Sequence, residues 1–261
     1  MKNLRNTVFT SLLFLVLFVS NIYANNNNGQ DRNIQESNNH LNAQLLDSLT
    51  AVLNRNLSLA ELLKQLQTFT LDNQDVSYFD LLHTAGEVLI EKKKYKSALP
   101  VLKELLNQRD ARGNNELLLT ANLMLSESYN EEHLPDSAAL FLDKAEKIYA
   151  EHPRKRYEAL IITQRASIFD LRGESLEAIK EYQKLVNIYL NDDGEASDLT
   201  EVYSKISILH TTLRNYEDAC LYMDKAIAIC ENQKLYKALV GFYINRGTLE
   251  HEFGNFEKAR P

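Results

Sequence analysis

Arg214–Ile229 reads RNYEDACLYMDKAIAI. A polar Arg-Asn step leads into Tyr216, and from Ala219 onward small and apolar residues fall on one helical face at Ala219, Met223 and Ala226. Twelve residues before Ala219 stands another small residue in helical context, Ser207. The same pairing recurs along the chain as Gly86–Ala98, Ser126–Ala138, Ala166–Ala178 and Gly247–Ala259, always twelve apart. The first members are separated by 40, 40, 41 and 40 residues. Self-similarity at a fixed period marks a repeat architecture. The twelve-residue step has a mechanical reading. A small residue late on one helix faces an alanine early on the next, where two antiparallel helices approach closely and a large side chain would push them apart.

The rest of each unit keeps the same register. Four residues after the alanine come Leu102, Leu142, Tyr182 and Met223, and three further on come Leu105, Ala145, Leu185 and Ala226. These mark the buried stripe of every second helix. Lys94-Tyr95, Leu134-Pro135, Gly173-Glu174-Ser175, Arg214-Asn215-Tyr216 and Gly254-Asn255-Phe256 separate first from second helices. Three before the alanine stand Tyr95, Tyr216 and Phe256, where a ring can wedge into the turn, with Pro135 and Ser175 in the other two units. Proline suits a first helical position, because its missing N–H has no partner there anyway. Polar breaks at 109–115, 151–154 and 191–194 separate one unit from the next.

This pattern resembles the tetratricopeptide repeat, with a small residue late on helix A, an aromatic at the turn and an alanine on helix B. GNFEKA at Gly254–Ala259 and RNYEDACLYMDKAIAI carry the likeness, which covers about residues 79–261. It implies an all-α fold, a right-handed α-solenoid of antiparallel helix pairs. The period of about 40 exceeds the family's 34 and implies helices longer by up to a turn each, as in the long repeats of bacterial regulators. HEAT-type repeats share the period but lack the alanine and aromatic turn signature. Residues 79–261 thus hold about four full repeats and a truncated fifth, and residues 41–78 read as a degenerate leading repeat. In that unit Leu41, Leu45, Leu49, Val52 and Leu53 share a face, while Leu59, Leu62, Leu63, Leu66 and Phe69 share another.

The resemblance also implies where a ligand lies. First helices line the concave side of such a stack. Carried onto this sequence, the groove phases give Asp80, His83, Glu87 and Glu91, then Thr120, Leu123, Glu127, Asn130 and Glu131. Further along they give Thr163, Ser167 and Asp170, then Ser204, Thr211 and Thr212, then Thr248, His251 and Glu252. The family's Lys/Asn/Arg clamp for terminal carboxylates is absent from these positions. The groove is acidic at its N-terminal end and suits a basic or polar peptide, a protein, or another part of the same polypeptide.

The chain ends add context. Lys2 and Arg5, the apolar run Leu12–Val19 and Ile22-Tyr23-Ala24 have the three-part layout of a signal peptide over residues 1–24. An uncleaved anchor is the alternative reading, although a spanning helix needs about 20 apolar residues. Export to the periplasm or another extracytoplasmic space is the expectation. Residues 25–40 are Asn-rich and read as a disordered linker. The net charge of −7 becomes more negative once Lys2 and Arg5 leave, which disfavours nucleic acid as a partner. Membrane contact is expected only through the signal segment or a region beyond residue 261. Cys220 and Cys230, ten apart on one predicted helix, lie about 15 Å from each other, beyond the roughly 7 Å a disulfide tolerates. They read as buried thiols.

Catalytic motifs are missing from the sequence. There is no phosphate-binding glycine loop, no zinc spacing and no nucleophile elbow. His83 and Glu87, four apart, read as an exposed helical pair, and His210 as a core histidine. The expectation is a non-catalytic binding scaffold without cofactor or metal, in the manner of the exported sensory regions of bacterial signalling proteins. The alternative is a helical-repeat enzyme or carbohydrate-handling protein with an acidic cleft, Glu131 and Asp170 being its candidate acids. The fifth second helix, opening at Phe256, lacks the length of the earlier ones, so the chain also reads as part of a longer polypeptide.

Overall fold

The computed structural model describes residues 47, 50–55, 57–72, 77–108, 114–191 and 196–252. The residues read from sequence as a signal segment, as a linker and as a helix opening at Phe256 lie outside the described residues. Among the described residues all regular structure is helical. Backbone contacts divide the chain into two units, residues 1–81 and 82–261.

In the first unit, helix α1 spans Leu59–Asp72. It opens with a capping box: the Ser58 backbone N–H donates to Glu61 Oε2 at 3.0 Å, and the Glu61 N–H donates back to Ser58 Oγ at 3.4 Å. Leu53 and Leu66 are buried. Helix α2, Tyr78–Glu91, begins here, its first turn capped by an N–H bond from Asp80 to Ser77 Oγ at 3.2 Å.

The second unit holds the remainder of α2 and the helices α3 (Tyr95–Asn107), α4 (Asn115–Glu131), α5 (Pro135–Glu151) and α6 (Lys155–Leu171). After them come α7 (Ser175–Asn191), α8 (Ala196–Thr212), α9 (Tyr216–Asn232) and α10 (Tyr236–Glu252). Helices α4 to α10 have 17 residues each. Two such helices with three-residue connections make the forty-residue period. The connection 192–195 is one residue longer, and that residue is the extra one in the 41-residue step. The pairs α4–α5, α6–α7 and α8–α9 pack most extensively, and each second helix also touches the first helix of the next pair. This is an α-solenoid of tetratricopeptide type.

The ruler is the packing contact. Ser126, Ala138, Ala166, Ala178, Ser207 and Ala219 are all fully buried. Ser207 Oγ donates to the Ala219 carbonyl at 2.6 Å, so there the paired residues touch. A Cβ on Gly86 would sit 2.4 Å from Cδ2 of the buried Leu102. The second-helix stripe Leu102, Leu142, Tyr182, Met223 and Leu105, Ala145, Leu185, Ala226 is buried throughout. Around Ala166 and Ala178, Ile162, Tyr182, Leu185, Val202, Ile206 and Leu209 join α6, α7 and α8 in one apolar cluster. Burying a leucine-sized side chain contributes about 1.5–3 kcal/mol. Gly247 is half-buried, and its partner Ala259 lies outside the described residues.

The turns inside the pairs share one geometry. Lys93, His133, Gly173 and Arg214 have φ of 56°, 58°, 76° and 58°. After each, the next N–H reaches back five residues: Lys94 to Leu89, Leu134 to Tyr129, Glu174 to Phe169 and Asn215 to His210. This is the Schellman closure. It recurs between α9 and α10, where Lys234 has φ 57° and the Leu235 N–H bonds the Cys230 carbonyl. Pro135 stands at the start of α5 as expected. Pro100 inside α3 is a feature the sequence reading passed over. Cys230 is buried, but Cys220 is only half-buried, and neither is in a disulfide.

Candidate functional site

The first helices present the residues picked from the sequence. In the first unit, Asp80 is a capping residue, its carboxylate accepting the Ser77 hydroxyl at 2.5 Å. In the second unit His83 is buried, so it is not the exposed pair member the sequence suggested. Its Nε2 shares a 2.6 Å hydrogen bond with Thr120 Oγ1 on α4, and its Nδ1 lies 3.6 Å from Glu87 Oε2. His83 therefore ties α2 to α4, a contact hidden from sequence because its partner is 37 residues away. Glu91 is exposed at the end of α2.

On α4, Glu127 is half-buried and Glu131, one turn on, is exposed. Burial, with the Glu131 charge added, pushes the Glu127 carboxyl up to about 7. The same two carboxylates, after burial, push up the Tyr95 phenol at the start of α3. Asn130 is half-buried, and its Oδ1 is sealed from solvent without a hydrogen-bond partner. Glu127, Glu131 and Tyr95 therefore form one acidic locus.

On α6, Thr163 donates to the Ala159 carbonyl at 2.8 Å and also bonds the Tyr189 phenol of α7. Ser167 Oγ lies 3.4 Å from Tyr182 OH. Burial pushes the Tyr182 phenol up, and the charges of Asp170 and Glu201 add to the shift. Asp170 is exposed. On α8, Ser204 and Thr211 are half-buried, and Thr211 donates to the Ser207 carbonyl at 2.9 Å. Sequence reasoning missed Glu201 and the tyrosines Tyr95, Tyr182 and Tyr189 that reach these positions from the second helices. A signal existed: Tyr149 and Tyr189 both stand eleven residues after the ruler alanine. His210 is stacked on Tyr222 at 5.5 Å, with Nδ1 lacking a hydrogen bond and 3.9 Å from Asp218.

Two clefts lie away from these residues. One of about 540 Å³ is lined by Asn114, Glu116, His152, Arg154 and Tyr157 among others. There Glu116 accepts from Arg154, from Arg156 and, at 2.8 Å, from the Tyr157 hydroxyl. The other, about 330 Å³, contains Glu146, Glu158, Arg165 and Lys184. Arg165 spans α5 and α7, donating to Glu146 at 2.6 Å and Glu181 at 3.1 Å. Arg246, at the equivalent place before Gly247, donates to Asp224 at 2.7 Å. These arginines join one pair to the next. Among the described residues no group of three His, Cys, Asp or Glu is placed to hold a metal ion, and no helix is long and apolar enough to cross a membrane.

The family model for SNAP, soluble NSF attachment protein, matches residues 68–249. The chain belongs to the soluble NSF attachment protein family. No curated protein matches it significantly. Among solved structures, the apo form of RapI is similar over 97% of this chain and 73% of its own, at TM-score 0.63 and 14% identity. BtubC from P. vanneervenii is similar over 82% of this chain and 86% of its own, at TM-score 0.60 and 20% identity. A signal transduction ATPase with a tetratricopeptide repeat sensor from Pyrococcus horikoshii has TM-score 0.60 and 17% identity over 75% of this chain. This chain spans 30% of that protein. At such identities the likeness is one of fold, and it agrees with the tetratricopeptide-type stacking of this SNAP-family chain.

Proposed function

We propose that this protein is a non-catalytic scaffold that binds a protein or peptide along its first helices. The observation that carries the reading is the open polar surface these helices present. Glu127 and Asn130 on α4 stand at the same phases as Ser167 and Asp170 on the adjacent α6, with Glu131 and Thr163 beside them. The family's description as an attachment protein and the sensor role printed for the Pyrococcus protein are compatible with it. The preferred ligand is basic or polar, since Glu91, Glu127 and Glu131 leave the N-terminal part of the face acidic. The long-repeat form is that of bacterial regulators, and residues 1–24 direct export, so the scaffold serves as an extracytoplasmic sensory region.

A panel of fluorescent peptides of graded charge tests the binding proposal. Lysine- and arginine-bearing peptides are expected to bind best, and the Glu91→Lys/Glu131→Lys variant, altered only at exposed positions, is expected to lose that preference. Affinity that is indifferent to peptide charge in both proteins overturns it. Export has its own test: the mature protein from a Gram-negative host should begin after Ala24, and a retained Met1 in the cytosol refutes it.

One observation favours a second reading. Glu127, held up to about 7 beside Glu131, is a perturbed carboxylate pair of the kind an acid–base enzyme uses. It differs from the Glu131 and Asp170 pair expected from sequence, and neither cleft described above includes it. Glycan or peptide turnover that Glu127→Gln abolishes would establish this alternative.

A further inference from the structure

The larger cleft, at the junction of α4, α5 and α6, is not used by the first-helix face. Its apolar floor is Leu119, 2% exposed, with Ile148 beside it. Asn114 at the start of α4, His152 at the end of α5 and Arg154 at the start of α6 form a polar rim. Donors and acceptors on this rim are unequally committed. Glu116 is the cleft's carboxylate, and it already accepts from Arg154, Arg156 and the Tyr157 hydroxyl. Tyr157 is buried, and its ring lies 4.8 Å from the Arg156 guanidinium, so ring and hydroxyl together hold this group in place. Asn114 uses its Oδ1 to accept the Leu117 N–H at 3.0 Å as the α4 cap, which leaves its amide N–H groups as what it can offer a ligand. Arg154 meets Glu116 through Nη1, and 54% of its side chain is exposed. A guanidinium has several further N–H donors. The repeat does not require the cluster: one unit on, Arg156 and Asp198 stand where Glu116 and Tyr157 do here.

We propose that this cleft binds a carboxylate joined to a short apolar group, the carboxylate on Arg154 and Asn114 and the apolar group over Leu119 and Ile148. A rim of donors whose own carboxylate is already engaged selects an acceptor. A planar guanidinium pairs with a carboxylate through two parallel hydrogen bonds. Glu116 within the cleft and the net charge of −7 oppose more highly charged anions, so phosphate is a poorer fit. The volume of about 540 Å³ lies in the range of small-molecule clefts, about 300–1,000 Å³. The same chemistry is offered by a free acid and by the last residue of a peptide. The site is independent of the first-helix reading, because it lies at the start of α4, whereas Glu127 and Glu131 stand at the other end of that helix.

The test is calorimetric titration of the full chain with N-acetyl-leucine, its neutral amide, a short peptide ending in leucine, that peptide's C-terminal amide, and inorganic phosphate. At least one of the two carboxylates is expected to bind saturably at one site, and its amide more than about tenfold more weakly. Binding of both carboxylates assigns the site to a free acid, and binding of the peptide alone assigns it to a chain end. Arg154→Gln should weaken the interaction by more than about tenfold, while Arg156 and Tyr157 still engage Glu116. Asn114→Asp should do the same, since aspartate caps a helix as well as asparagine but repels a carboxylate. Thermal melts matching the parent verify that both variants are folded. Arg172→Gln, at the far end of α6 where Arg172 pairs with Asp136, should leave binding unchanged, as should Glu91→Lys/Glu131→Lys on the first-helix face. Absent binding, acid and amide binding alike, phosphate binding as well as the carboxylate, or binding that survives both cleft variants overturns the proposal.

Discussion

Glu127 shows how a single side chain on the presented face tunes stability. Its carboxyl titrates at about 7 in the folded chain against 4.5 for an ordinary glutamate. Between those values the folded state holds a proton that the unfolded state has lost, so stability falls as pH rises through that window. Glutamine stays neutral and removes the effect. Glu127→Gln is expected to stabilise the protein by roughly 1–3 kcal/mol at pH 8 and by little at pH 5. Denaturant titrations at the two pH values check the sign. The ruler gives a second prediction at this scale. Ala178 is fully buried against Ala166 and its neighbours, so Ala178→Leu should destabilise by about 1–3 kcal/mol through overpacking. Glu151→Leu, at the exposed end of α5, should shift the melting temperature far less. The contact around Ala178 was legible in sequence because small residues at fixed spacing have one structural use. The neutral-range acid was not, since its proton affinity depends on burial and on where Glu131 points.

At the scale of helices and turns, the elements are where sequence and structure agree most closely. Among the described residues, apolar periodicity placed the second-helix stripes, and short polar steps placed the turns within pairs. The left-handed residue in those turns was legible only at Gly173, because lysine, histidine and arginine carry no sign of positive φ. Such residues bear a conformational cost of about 1 kcal/mol that glycine avoids. Arg214→Gly should therefore be neutral or stabilise by up to about 1 kcal/mol, whereas Gly173→Ala should destabilise by a similar amount. Opposite shifts in thermal melts are the check. Pro100 sits in the sixth position of α3 and cannot donate to the helix ladder. Pro100→Ala is expected to stabilise by about 1–3 kcal/mol, seen as slower hydrogen exchange across α3. The reach of His83 to Thr120 escaped the sequence reading for another reason. Helical phase says which face a residue takes, but not which neighbouring helix lies within hydrogen-bond distance.

Across residues 82–252 the pairs are coupled only to their neighbours, as in other stacked-repeat folds. Arg165 is one polar link between the second and third pairs, joined to Glu146 on one side and the buried Glu181 on the other. Arg165→Ala leaves Glu181 buried with only Lys184 as a cation and should cost about 2–4 kcal/mol. Restoring volume without charge, Arg165→Met with Glu181→Leu, should recover most of the loss. Hydrogen exchange of the single variant should rise on both sides of the α5–α6 boundary and leave α8–α9 protected. The site's extent was less legible than the fold. The groove phases came from a family resemblance, whereas the bonds of Tyr182 to Ser167 and of Tyr189 to Thr163 depend on how closely neighbouring helices approach. The forty-residue unit has a further consequence. Helices α7 and α8 keep their 17-residue lengths and contacts although the step between their pairs is one residue longer. Helix phase is thus insulated from connector length, and residues 155–195 form an interchangeable cassette. Duplicating that cassette in tandem should give a longer, folded protein whose added pair reproduces the Ala166–Ala178 contact, which makes the array extensible by recombination at its connectors.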